Sequence, residues 1–144
     1  MPHAGDFYFD AVAQVRMDAW SRGRVTLAGD AAHCPSPLSG MGTGLAVVGA
    51  YVLAGELAAA GGDHRVAYPR YEEVMRGYAE RCQKVGGGVA RMLVPQSRFG
   101  SAFLDRYYAI MPFLPGKAMM AKMARRTAEA IALPDYAHLF PVER

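Results

Sequence analysis

Gly29-Asp30-Ala31-Ala32-His33, followed by Pro37 and then Gly40, Gly42 and Gly44, is the stretch of this 144-residue chain whose residue types could do chemistry. Asp30 stands just after the apolar run Val25-Thr26-Leu27-Ala28, and its carboxylate can accept hydrogen bonds from sugar hydroxyls. Glycines let backbone approach a flat ring, and a helix opening there offers unpaired N–H groups to negative charge. That chemistry suits a nucleotide-type cofactor. His33 has no acid or nucleophile partner at a telling interval, so a structural hydrogen bond is its expected role. No residue is assigned a catalytic role.

The elements that must position these residues follow from periodicity and breakers. Alternation over residues 6–20 predicts a strand or hairpin arm, Ser21-Arg22-Gly23 a turn, and Val25–Ala28 a short strand carrying Asp30 at its end. Pro35 and Pro37 make residues 34–39 irregular. A helix is expected from Thr43 to Ala60, stopped by Gly61-Gly62, with Asp63 as a cap and Pro69 near the next helix start. Tyr71, Val74, Met75, Tyr78, Cys82, Val85, Val89 and Met92 recur at helical spacing, with Gly86-Gly87-Gly88 expected to kink or interrupt the helix. Residues 97–111 read as a helix striped by Phe99, Phe103, Tyr107 and Ile110, and Met119 to Ile131 as a last helix before Pro134. Core packing explains those methionines and aromatics.

Composition narrows the classes. Hydrophobic content of 52% with 20% charged residues excludes disorder, and a net charge of +3 is too small and scattered for a nucleic-acid partner. Cys34 and Cys82 are far apart, and the four histidines show no ligand spacing, so no metal site is expected. With no signal peptide in view, a cytoplasmic location is the expectation. Leu38–Ala60 is long and apolar enough for a membrane span, but its glycines and Glu56 favour a buried helix instead.

The run from Gly23 to Gly44, Gly-Arg-Val-Thr-Leu-Ala-Gly-Asp-Ala-Ala-His-Cys-Pro-Ser-Pro-Leu-Ser-Gly-Met-Gly-Thr-Gly, resembles the second flavin-binding motif of the class A FAD-dependent monooxygenases, the aromatic hydroxylases. The likeness continues more loosely through Leu57 and the Tyr71-Glu72 region. It implies a mainly α chain with a small β portion at its N-terminus, the C-terminal fragment of an α/β, Rossmann-like FAD-binding fold. Residues 1–22 would be a remnant of the substrate-domain sheet, 23–60 the strand-loop-helix of the FAD-binding domain, and 61–144 the C-terminal helices. It implies FAD as cofactor, with Asp30 on the ribitol and Pro37 walling the pocket. Gly29, Gly40, Met41, Gly42, Thr43 and Gly44 would complete the cofactor-binding set. NAD(P)H would be co-substrate in hydroxylation of an aromatic or polyketide-like compound. Ser39, Gly44 and Gly49 depart from the family pattern, where glycine, a polar residue and aspartate respectively are common.

No Gly-x-Gly-x-x-Gly turn follows a strand in this sequence. The chain is therefore expected to bind FAD weakly by itself and to be inactive alone. The alternative is a non-catalytic remnant or helical interaction module. Its apolar segment Leu45–Leu57 would drive homo-oligomer formation.

Overall fold

The computed structural model describes residues 5, 11–93, 97–110, 125–126 and 131–139. Two short strands, β1 (Ser21–Arg22) and β2 (Val25–Thr26), precede helices α1 (Asp30–His33), α2 (Gly42–Ala59), α3 (His64–Leu93) and α4 (Arg98–Ile110). Short 3-10 turns occupy Pro37–Ser39 and Ala137–Leu139. The chain is thus mainly helical, with one small antiparallel sheet near its N-terminus pairing Ser21 with Thr26 and Arg22 with Val25.

The sheet corrects two expectations. Ser21 and Arg22 are strand rather than turn; Gly23, at φ 60°, takes the first turn position, where a tight hairpin needs a positive φ. Residues 11–20 form no strand, and residues 6–10 lie outside the described set. Side chains, not a ladder, meet much of the backbone there. The Gln83 amide donates to the Val15 carbonyl at 2.7 Å, and Arg76 donates to the Met17 and Asp18 carbonyls. Glu72 accepts from the Trp20 N–H and the Ser21 hydroxyl, both at 2.9 Å, and from Arg76. Burial works against ionising Glu72, yet these donors hold its carboxyl below the usual range.

α2 ends as its glycines require. Gly61 and Gly62 take positive φ, and the Gly62 N–H reaches back to the Leu57 carbonyl at 2.8 Å. Asp63 then caps α3, accepting from the Arg65 N–H at 3.0 Å. The helix begins at His64, so Pro69 lies inside it rather than at its start. The Arg65 carbonyl that loses a partner there is on the exposed side, where water can serve it.

α3 runs unbroken through Gly86-Gly87-Gly88, so the glycines do not interrupt the helix. Gly86 marks a close approach instead: a Cβ there would collide with the Pro35 carbonyl. α2 and α3 pack against one another around Trp20, Ala32, Leu45, Val52, Tyr71, Met75, Tyr78, Ala79 and Cys82. Gly49 lies at the crossing, where a Cβ would be in ordinary contact with Met75, His33 and Tyr71 at 3.4–3.7 Å.

On α4 the core expectation fails. Phe99 and Phe103 are 90% and 73% exposed. The methionines at 119, 120 and 123 lie outside the described residues; Arg125 and Arg126 are helical and exposed. Among the described residues one helix, α2, is long and apolar enough to cross a membrane, with mean hydropathy 1.4. Its Glu56 is buried against Tyr136 and 4.0 Å from Arg70.

Candidate cofactor site

Leu27 continues from β2 by donating its N–H to the Trp20 carbonyl, and the chain then turns sharply at Gly29, φ 60°. Asp30 is therefore the first residue of a one-turn helix, which the expected strand-to-loop passage did not contain. The Gly29 carbonyl accepts from the Ala32 and His33 N–H groups, both at 3.1 Å. Asp30 is left exposed, its carboxylate without a hydrogen-bond partner among the described residues.

Beside it opens a cavity of about 560 Å³ lined by Asp30, Cys34, Pro35, Ser36, Pro37, Gly40, Gly42, Thr43 and Ala46. That volume falls within the range of small-molecule and cofactor sites. Of the residues expected to hold a cofactor, Asp30, Pro37, Gly40, Gly42 and Thr43 line it, whereas Gly29, Met41 and Gly44 do not. Gly29 acts through its backbone turn, and Met41 packs on the core. Cys34, Pro35, Ser36 and Ala46 were not anticipated. Only Ser36 before Pro37 carried a sequence signal, that of a side-chain cap on a turn.

The start of α2 borders the cavity. Its N-cap, Met41, supplies no side-chain cap, and the first amide joined to a carbonyl is Leu45, which donates to Met41 at 2.9 Å. The N–H groups of Gly42, Thr43 and Gly44 have no partner among the described residues. Open amides at a helix start favour negative charge. The helix start lies close to the carboxylate: a Cβ on Gly42 would be 3.8 Å from Asp30 Oδ1.

His33 does not face this cavity. It is 1% exposed, packed edge-on against Trp20 at 4.8 Å. The Tyr71 hydroxyl donates to the Leu27 carbonyl at 3.3 Å, so its oxygen is left to accept from His33 Nε2 at 3.4 Å. Nδ1 has no partner. Burial lowers the imidazole pKa, only partly offset by its own backbone carbonyl and the Asp30 charge. Burial likewise pushes the Tyr71 phenol up to about 12, with the Glu72 charge adding to it. This histidine is a neutral packing group.

The geometry agrees with what the chain resembles. The model of the FAD binding domain family matches residues 9–91, more than half of the chain. A flavin-dependent monooxygenase of Legionella longbeachae is 54% identical over 136 residues, covering 94% of this chain and 33% of its own length. Monooxygenase CTB7 of Cercospora beticola is 37% identical, covering 94% and 32% respectively. The crystal structure of tetracycline destructase Tet(55) superposes with a TM-score of 0.67 at 40% identity, covering 94% of this chain and 33% of that one. The chain spans about one third of the length of these relatives. With the family match lying across the very segment that builds the cavity, the chain belongs to the FAD-binding domain family found in flavin-dependent monooxygenases.

Proposed function

We propose that this chain forms the flavin-holding part of an FAD-dependent monooxygenase acting on an aromatic or polyketide-like substrate with NAD(P)H as reductant. FAD bound there would supply the oxygen chemistry. The chain's own residues bind and orient. Asp30 accepts from the ribitol hydroxyls, Pro37 and Gly40 wall the ring, and the Gly42–Gly44 amides lie toward its electron-rich edge. One observation carries the reading: the Asp30 carboxylate and the Gly42 and Thr43 amides, all unpartnered among the described residues, border one cavity. A relative named for destroying tetracycline, itself a polyketide, supports the substrate class.

Titration with FAD, followed by flavin fluorescence and absorbance, tests the reading. Binding by the chain alone is weak, because no Gly-x-Gly-x-x-Gly turn holds the pyrophosphate. Asp30→Ala costs a further charge-assisted bond of roughly 1.5–3 kcal/mol. Equal flavin affinity in a folded Asp30→Ala variant would reduce Asp30 to a turn residue.

A second reading is a non-catalytic module that associates with copies of itself. The exposure of Phe99, Phe103 and Val47, the last at 65%, favours it.

A further inference from the structure

Ser36 is the single non-glycine residue with a positive φ, 77°, among the described residues, and it is buried in the wall of the cofactor cavity. Such a conformation is normally left to glycine and persists only where surrounding bonds hold it. Three bonds do so. The Ser36 hydroxyl accepts from the Leu38 N–H at 3.2 Å, while its carbonyl accepts from the Ser39 N–H at 3.1 Å and the Ser39 hydroxyl at 2.9 Å. Ser39 then uses its remaining capacity in the other direction, accepting from the Met41 N–H at 3.1 Å. Its one hydroxyl ties the strained residue on one side of the turn to the amide that opens α2 on the other.

Pro37 and Gly40, both on the cavity wall, lie between the two tied points. Ser39 itself does not line the cavity. Ser39 stands two residues ahead of the N-cap Met41, so its oxygen meets the N-cap amide rather than the first amides of the helix. The Gly42, Thr43 and Gly44 amides stay open among the described residues.

We propose that Ser39 is a positioning residue for the cofactor: its hydroxyl locks the Ser36–Met41 turn so that the wall and the open amides of α2 present themselves together. This rests on the flavin reading of the cavity.

The test compares the full 144-residue chain with Ser39→Ala and Ser39→Thr, which keeps the hydroxyl. Amide exchange by NMR is read without ligand; the Gly42–Gly44 amide shifts are then followed as FMN is added to millimolar concentration. FMN carries the ring and ribitol without demanding a pyrophosphate site. Ser39→Ala should speed Met41 exchange roughly five- to tenfold, the worth of one net hydrogen bond. It should also move the FMN midpoint upward by a similar factor, about five to ten, with Ser39→Thr restoring both. Unchanged Met41 exchange in Ser39→Ala overturns the lock. Faster exchange with an unchanged FMN midpoint overturns the positioning role and leaves Ser39 a fold residue. If the parent chain's amides ignore FMN altogether, the flavin reading fails and takes the positioning role with it, while faster Met41 exchange would still identify the turn lock.

Discussion

The Tyr136 hydroxyl donates to the Glu56 carboxylate at 2.6 Å, and the Tyr136 ring fills the space that a Cβ on Gly55 would need. Residues 131–139 thereby fasten across the middle of α2, with the Tyr51 hydroxyl adding a bond to the Pro134 carbonyl at 3.1 Å. The strap explains how a helix that is otherwise apolar carries a buried carboxylate. Burial and the acceptor beside it raise the Tyr136 pKa.

Removing the phenol should loosen the strap. Tyr136→Phe leaves Glu56 with only the distant Arg70, and an unsatisfied buried acceptor costs about 1–3 kcal/mol. Gly55→Ala should cost a similar ~1–3 kcal/mol by displacing the ring, although alanine is the better helix former. Urea denaturation of the two variants measures both. A Gly55→Ala protein more stable than its parent would show that the ring is not seated on α2.

His33 makes stability depend on pH in a definite direction. Its folded pKa lies below the unfolded value of about 6.5, so between the two the unfolded chain holds the extra proton. Its contribution is complete above that value and is lost as pH falls through the window beneath it. Urea midpoints from pH 7.5 down to 5 should decline, and His33→Gln should flatten that decline. An identical slope in the variant would move the effect to other groups.

Gly49→Asp should reverse the histidine's shift. A Cβ at this position lies 3.6 Å from His33 Nε2, so a carboxylate there can accept from the imidazole N–H once the Met75 methyl yields. The His33 pKa then rises, because a nearby negative charge favours the imidazolium. NMR titration of the imidazole resonances reads this directly, and an unmoved pKa would mean the carboxylate turns elsewhere.

Self-association is expected at micromolar concentration. α3 and the strap cover two sides of α2, but Val47, Ala50, Tyr51 and Ala54 remain open, as do Phe99 and Phe103 on α4. Burying a phenylalanine side chain contributes about 1.5–3 kcal/mol. Light scattering should show dimers or larger species, and Phe99→Ser with Phe103→Ser should shift them toward monomer. A monomeric parent chain would remove the basis for the module reading.

What the sequence by itself determined was the local part. The spacing of Asp30, Pro37, Gly40 and Gly42 marked a segment whose residues line one cavity; Gly61-Gly62 and Asp63 set the end of one helix and the start of the next, because caps and positive φ act within a few residues. Three-residue runs such as Gly86–Gly88 were misleading for the opposite reason. Their role depends on what lies across from them, and only the packing of α3 beside Pro35 makes glycine a close contact rather than a break. The same holds for residues 11–20, whose alternation promised a strand but whose carbonyls are taken by Gln83 and Arg76 from a helix more than fifty residues away. The strap at Tyr136 likewise exists only in three dimensions. It joins a side chain to a carboxylate on α2 whose position beside it is decided by tertiary packing, and periodicity holds no record of that.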